Sequence, residues 1–364
     1  MSRRTELSNA RKEKNDEFYT TLELIVSEIA QHPDMKRHFK DKVVLCNFGD
    51  SEKSNFVIFF TKFFKALGIK KVIGINYNED GNPSYKVEYS GEGTDNKGEY
   101  IYKKIPLKGN GDFRSEECIE ILKEADIVVT NPSFSLFREY LPQLVEYDKK
   151  FLILGDTNFI TYREVFPFIR DNKLWLGQSI HSGDREIMVS SNYELKAARY
   201  RIDENGQKYI NKKGLRWFTN LETDERLERL PLTKNYKGNE EKYPKYDNFD
   251  AIDVGATKDI PKDYLGVMGV PVTFMDKYCP EQFEILGNGN GIFDRTKSYE
   301  NVVTVKDGVE GKKASVNSIL LLEVTKQEKG KNYYKDKETN KIYRAPYTRI
   351  LIRRKLEEEI SNGN

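Results

Sequence analysis

From Lys42 to Gly177 the chain alternates short apolar runs with longer amphipathic ones, and this rhythm restricts its fold more than any other feature. Lys42–Asn47 is a brief apolar run ending in polar turn residues. Glu52–Leu67 follows with helical spacing, Gly68 closes it as a C-terminal glycine does, and Lys71–Ile75 supplies the next strand. Strand, helix, strand in that order predicts parallel pairing and an α/β, doubly wound sheet. The pattern continues through helix Ser115–Lys123, strand Asp126–Thr130, helix Leu136–Tyr147, strand Phe151–Leu154, helix Tyr162–Asp171 and strand Leu174–Gly177. Tyr85–Tyr89 and Glu99–Ile105 alternate around a Gly-rich centre and predict an inserted hairpin. Ahead of the sheet, Phe18-Tyr19-Thr20 precedes an amphipathic run, Leu22–Ile29, for which Thr20 or Thr21 is the candidate cap.

After Asp184 the rhythm changes. Ile187–Val189, Lys208–Ile210 and Leu215–Phe218 predict antiparallel additions to the sheet. The charged Glu222–Arg229 and the polar Thr233–Pro244 predict a linker or exposed crossover. Beyond them, Pro271–Phe274, Phe283–Gly287, Ser318–Leu321 and Arg349–Ile352 are strand candidates among tyrosine-rich, basic loops.

Ligands of a parallel α/β sheet lie at the carboxyl ends of its strands. The leading candidate site is therefore Asn131-Pro132-Ser133-Phe134, directly after the Asp126–Thr130 strand. Asn131 and Pro132 offer two carbonyl-type acceptors and Phe134 a flat ring, a set that suits an exocyclic amino group on a planar base. An ordinary proline-stiffened turn accounts for the same residues without chemistry. The turn after the first strand, Asn47-Phe48-Gly49-Asp50, occupies the place of a nucleotide-like ligand, although Gly49 alone matches neither a dinucleotide fingerprint nor a phosphate loop. Asp50 would repel phosphate; it could hold an ammonium group or ribose hydroxyls, or cap a helix. Asn76-Tyr77-Asn78 can reach ribose hydroxyls or be a plain loop, and Asp112-Phe113 offers an acceptor for an adenine amino group beside an aromatic face.

With 38% hydrophobic and 32% charged residues in 364, the composition describes a globular protein with a heavily solvated surface. No apolar run approaches membrane-spanning length, and Met1-Ser2-Arg3-Arg4 opens no signal peptide, so a cytoplasmic protein without membrane contact is expected. Three cysteines and three histidines show no ligand spacing, and no metal site is expected. A net charge of +2 neither demands nor excludes a polyanionic partner. Basic residues gather at Arg3-Arg4, Arg11-Lys12 and Lys14, and again at Arg349, Arg353, Arg354 and Lys355, where they can pair with phosphates or face water.

Asp16-Glu17-Phe18-Tyr19-Thr20, Ser54-Asn55-Phe56, Gly111-Asp112-Phe113-Arg114-Ser115 and Asn131-Pro132-Ser133-Phe134-Ser135-Leu136-Phe137 together resemble, in order and spacing, the EcoRI-type adenine-N6 DNA methyltransferases. Lys173–Gly177, Gly214–Asn220, Gly266–Pro271 and Tyr278–Gly287 extend the resemblance over most of the chain, from about Asp16 to the basic tail. It implies a Rossmann-like class I methyltransferase fold dependent on S-adenosylmethionine, with a C-terminal α+β extension. It also implies S-adenosylmethionine as methyl donor and an adenine of double-stranded DNA as acceptor. Carried over residue by residue, it sets Tyr19 and Thr20 at the methionine end of the cofactor and makes Asn47, Gly49 and Asp50 the variant first-strand loop. Asn76 and Tyr77 fall near its ribose or adenine, Asp112 and Phe113 near its adenine, and Asn131, Pro132 and Phe134 on the target base. Arg216, or the segment after it, is expected near DNA, whereas Trp217 and Phe218 are expected in the core.

The implied division is a cofactor-binding and catalytic domain over residues 1–225 and a DNA-recognition region over residues 226–364. A chain carrying both parts is expected to act as a monomer, and a restriction-modification role would bring a cognate restriction endonuclease acting on the same site. The implied reaction flips the adenine out of the duplex, because its amino nitrogen cannot meet a methyl donor while stacked and paired. Two departures from the general pattern stand out. The first-strand loop is glycine-poor, as in this subgroup, and Ser133 replaces the second of two prolines, which leaves the turn less preorganised. Ser133 also motivates the rival reading, a methyltransferase-fold protein that binds specific DNA without turnover. The missing glycine fingerprint speaks against a third reading, a nicotinamide oxidoreductase.

Overall fold

The computed structural model describes residues 18–181, 183–195, 200–291 and 294–356. Asp16, Glu17 and the N-terminal basic cluster lie outside the described residues. The described chain divides into two compact units: one runs to Val165 and includes Lys173–Asp224, and the other comprises Phe166–Asn172 and the chain from Glu225 onward.

The first unit is mixed α/β, built on an eight-stranded sheet. Its parallel centre contains β2 (Val43–Cys46), β3 (Lys71–Ile75), β6 (Ile127–Thr130) and β7 (Lys150–Asp156) in the order β3-β2-β6-β7. All four residues of β2 and of β6 are buried, which is why these segments are uninterrupted apolar runs: a central parallel strand has no solvent face. Helix α2 (Asn55–Lys62) follows β2, α3 (Glu116–Glu124) leads into β6, and α4 (Phe137–Glu146) follows it. The Ser115 hydroxyl caps α3 by accepting from the Cys118 N–H at 3.3 Å. Chain order reverses between β2 and β6, so their carboxyl ends flank a topological switch point.

The predicted hairpin, β4 (Tyr85–Tyr89) and β5 (Lys103–Pro106), extends the β3 edge of this sheet antiparallel. At the other edge β12 (Leu215–Thr219) pairs antiparallel with β7 and with the short β8 (Trp175–Leu176). Trp217 and Phe218 are fully buried there.

Two expected additions go elsewhere. β9 (Asp184–Val189) and β11 (Lys208–Lys213) do not join the large sheet; with β1 (Phe18–Tyr19) and β10 (Tyr200–Ile202) they form a separate four-stranded sheet in the order β1-β9-β11-β10. β1 completes that sheet through Phe18 opposite Val189 and Tyr19 opposite Met188. The Leu22–Ile29 run is α1 (Leu22–Ile25) continued by a π-helical turn, Val26–Ala30. Thr21 stands at the N-cap without a side-chain hydrogen bond, and Thr20 makes none either, its buried Oγ1 having no partner.

The second unit is largely antiparallel. One sheet contains β13 (Ile252–Asp253), β14 (Met268–Pro271), β15 (Phe283–Asn288) and β21 (Arg349–Arg354). The other contains β16 (Val302–Lys306), β17 (Val309–Lys313), β18 (Leu322–Glu323), β19 (Asn332–Asp336) and β20 (Ile342–Arg344). Helix α5 (Phe166–Arg170), the remnant of the longer helix expected over Tyr162–Asp171, belongs here. The expected strand Pro271–Phe274 ends at Pro271 and becomes a 3-10 helix, Val272–Lys277, which buries Val272, Phe274 and Met275. The Ser318–Leu321 strand is replaced by a loop clamped by Asn248, whose amide donates to Ile319 O at 2.8 Å and accepts from the Leu321 N–H at 3.0 Å. Thr233–Pro244 is tied into this unit rather than loose. The Tyr236 and Lys237 N–H groups donate to the Asp263 carboxylate at 2.6 and 3.1 Å, and the Tyr243 hydroxyl to Asp259 O at 2.9 Å.

Three of the four C-terminal basic residues are engaged within their own unit. Arg349 is buried against Asp253, with Nε 2.7 Å from Oδ1. Arg353 pairs with Glu284 at 2.7 Å, and Arg354 donates to the Lys262 carbonyl. No described helix is long and apolar enough to cross a membrane.

Candidate active site

The carboxyl ends of β2, β3 and β6 open onto a cavity of about 550 Å³, within the range of small-molecule and cofactor sites. It gathers most of the candidate residues: Tyr19, Asn47, Gly49, Asp50, Asn76, Tyr77, Asp112, Phe113 and Asn131 all line it. Thr20, Pro132 and Phe134 are buried and do not, and Arg216 lies outside it altogether. Asp50, Glu79 and Asp112 give the cavity three carboxylates against one guanidinium, Arg114. That balance suits a cationic ligand and disfavours a polyphosphate.

The floor is the loop after β2. Phe48 and Gly49 both have positive φ, 71° and 87°, which turns the backbone sharply out of the strand. Phe48 holds this strained conformation because its ring packs between Tyr140 of α4, at 4.8 Å between centroids, and Phe113, at 5.5 Å. Asn47 is fixed from below: its Oδ1 accepts from the buried Tyr140 hydroxyl at 2.7 Å, and its carbonyl accepts from Thr130 Oγ1. Asp50 closes the next turn, accepting from the Glu52 N–H at 3.1 Å and pairing with Lys53 at 3.2 Å.

One wall is built from β3 and the loop before α3. Ser84 Oγ donates to the Asn76 carbonyl at 2.7 Å and accepts from its amide at 3.1 Å, while Tyr77 stays exposed at the rim. Arg114 clamps Asp112 through Nε at 2.9 Å and Nη2 at 2.8 Å, and its own backbone N–H adds a third bond. These bonds, the side-chain ones foremost, hold the Asp112 carboxyl below the ordinary aspartate range. Arg114 is in turn braced by Glu139 of α4 at 3.1 Å.

At the end of β6, Asn131 spends its amide nitrogen on the carbonyl of Phe18, tethering β1 to the turn. Its Oδ1 is buried and makes no hydrogen bond. A buried acceptor without a partner costs about 1–3 kcal/mol, so it marks a place where a donor belongs. Phe134 is edge-on to Phe18 at 5.2 Å and to Phe159 at 5.3 Å, and only 8% exposed. The flat ring expected on the target base thus lies under an aromatic cover rather than presenting a bare face. Thr20, also expected at the cofactor, sits behind the lining, where its carbonyl accepts from the Asn55 amide at 2.9 Å.

Arg216 corrects the expectation of a DNA contact. It is 4% exposed, on the fully buried β12, and donates to the carbonyls of Leu215 and His181. A guanidinium so enclosed braces its own strand and does not meet phosphate. Conversely, sequence reasoning gave no site role to Tyr140, Arg114 or Glu79. Arg114 stands inside a quoted motif, but the Tyr140 contact joins helix α4 to a loop 93 residues earlier, which no local pattern signals. No group of three or more His, Cys, Asp or Glu among the described residues could hold a metal ion.

The family profile described as "Adenine-specific methyltransferase EcoRI" matches residues 6–355. The chain is 47% identical over 304 residues to the Type II methyltransferase M.EcoRI of Escherichia coli, covering 80% of this chain and 91% of that one. It is 42% identical to the Type II methyltransferase M.MpnI of Mycoplasma pneumoniae, covering 77% and 84% of the two chains. It is 38% identical to the Type II methyltransferase M.MgeORF184P of Mycoplasma genitalium, covering 86% and 97%. No solved structure matches.

Proposed function

Because the chain belongs to the EcoRI family of adenine-specific methyltransferases, we propose that it transfers a methyl group from S-adenosylmethionine to the N6 amino group of an adenine flipped out of double-stranded DNA. The observation that carries this reading is the buried, partnerless Oδ1 of Asn131 at the cavity wall. The first unit is read as the Rossmann-like catalytic domain, on the strength of its switch point between β2 and β6. The second unit is read as the DNA-recognition region.

The residues present fit the cofactor. Asp112 offers a carboxylate to an adenine amino group, with Phe113 and Phe48 as apolar walls beside it. Asn76 and Tyr77 stand where ribose hydroxyls would bind, and the acidic lining with Tyr19 suits the cationic methionine end. S-adenosylmethionine, when bound, supplies an electrophilic methyl group on a sulfonium centre.

On the acceptor side, Asn131 Oδ1 takes a hydrogen bond from the adenine amino group, and the Pro132 carbonyl is the second acceptor. Both draw on the amino hydrogens and leave the nitrogen lone pair uncommitted. Positive charge develops on that nitrogen during transfer, so acceptors aimed there bind the transition state more tightly than the ground state. The Phe18 carbonyl fixes which end of the Asn131 amide faces the base, because it engages the nitrogen. Phe134 and Phe18 supply the aromatic surroundings of the extruded ring.

Incubation with methyl-labelled S-adenosylmethionine and mixed-sequence DNA, followed by mapping of modified adenines, tests the reading. Label in adenine N6 at one recurring sequence supports it; DNA retention without label favours a binding module. Ligand-induced thermal shifts by S-adenosylmethionine and not by nicotinamide dinucleotides test the cofactor assignment.

A further inference from the structure

Lys212 reaches the Asn131 turn from the other sheet of the same unit. It lies on β11, and its Nζ is 3.0 Å from Oδ2 of Asp156, the last residue of β7. The second oxygen of Asp156 is engaged by Asn158, whose N–H donates to it at 2.9 Å. So anchored, the Lys212 ammonium stands 5.5 Å from the ring centre of Phe134 and 5.7 Å from that of Phe18. Its side chain is 26% exposed, open enough to meet a ligand. The mechanism above does not use it.

We propose that Lys212 is a base-reading residue that donates a hydrogen bond to a ring nitrogen of the extruded adenine. This rests on the reading in which Asn131 and Phe134 receive that base. An ammonium carries three donors, and one on Asp156 leaves two. Every ring nitrogen of adenine that is free in the nucleotide is an acceptor, so the chemistry is complementary where guanine or thymine would present a ring N–H. The neighbouring carboxylate decides against a phosphate. Asp156 neutralises the ammonium at contact distance and would repel a second anion, while a neutral, flat acceptor beside these aromatic rings suffers no such cost. The same carboxylate keeps a net positive charge away from the amino nitrogen as that nitrogen becomes cationic.

The test measures methyl transfer by the parent and by K212M to duplexes whose target is adenine, 1-deazaadenine, 3-deazaadenine or 7-deazaadenine. The proposal expects one deaza replacement to lower kcat/KM of the parent about tenfold, as loss of a charge-assisted hydrogen bond does. K212M should be slower on adenine by a similar factor and indifferent to that same replacement. A parent indifferent to all three analogues overturns the proposal, and needs no variant to fold. A K212M protein that loses as much as the parent on each analogue overturns it too. So does a fall of about one in the slope of log affinity against log salt for K212M, which would assign the lysine to a phosphate. N131A separates the two levels: full turnover in N131A sinks the underlying reading and the proposal with it, whereas an inactive N131A beside an analogue-indifferent parent sinks the Lys212 assignment alone.

Discussion

The carbonyl oxygen of Asn76 lies 2.2 Å from where a Cβ on Gly111 would be, so the two segments that build one wall of the cavity touch at a point that only glycine permits. Gly111 also has a φ of 82°. G111A therefore combines backbone strain with a forced shift of β3's end, at a cost of about 2–4 kcal/mol. Denaturant unfolding should register that loss. Titration should show weakened cofactor binding, because Asn76 and Asp112 are displaced together.

The Tyr140–Asn47 hydrogen bond makes a second prediction. Both groups are buried, and the Tyr140 hydroxyl is the side-chain donor to Asn47 Oδ1. Y140F keeps the ring that supports Phe48 and Phe113 but strands that acceptor, so it should cost about 1–3 kcal/mol of stability in an unfolding titration. Methyl transfer at saturating cofactor should be reduced less than apparent cofactor affinity.

Asp112 ties stability to pH. Arg114 lowers its carboxyl in the folded protein, so the stabilisation is complete above the unfolded aspartate value, about 3.9, and is lost as pH falls through the lowered folded value. D112N lacks this contribution. Thermal denaturation of the unliganded protein across the acid range should show D112N less stable than the parent above that window and convergence of the two below it.

Ser133 predicts a gain rather than a loss. Its carbonyl accepts from the Leu136 N–H at 2.8 Å, an interaction proline retains. S133P should restrict the turn in the unfolded chain and stabilise by about 0.4–1 kcal/mol, provided the backbone there accommodates the ring. Turnover of S133P should equal or exceed that of the parent. A marked loss of turnover with unchanged stability would assign a role to the serine hydroxyl.

The parts of this fold visible in the sequence are those fixed by local periodicity. β3 falls on Lys71–Ile75 as expected, and α3, α4, β6 and β7 are displaced by no more than a residue or two from their expected bounds, because buried parallel strands and amphipathic helices leave unmistakable patterns. What was not legible depends on partners distant in the chain. β9 and β11 alternate as any antiparallel strand does, and nothing in them says that they pair with each other, with β1 beside β9, rather than with the large sheet. Pro271–Phe274 is apolar enough for a strand, yet Val272 and Phe274, with Met275 after them, reach the core from a 3-10 helix. The cavity lining was legible where a turn directly follows a strand, as at Asn131, whereas a side chain that arrives from another sheet, as Lys212 does beside Phe134, leaves no local signal. Arg216 failed for a related reason: its position beside Trp217 and Phe218 in a fully buried strand outweighs its charge.

In the proposed reaction, Asn131 Oδ1 receives the amino group of the target adenine. The most direct measurement compares the parent and N131A for single-turnover methyl transfer to cognate duplex, with cofactor binding measured in parallel by calorimetry. That role predicts a fall in the transfer rate of about a hundredfold or more, the scale on which a preorganised transition-state partner is lost, with cofactor affinity nearly unchanged. Transfer by N131A at the parent rate would contradict it.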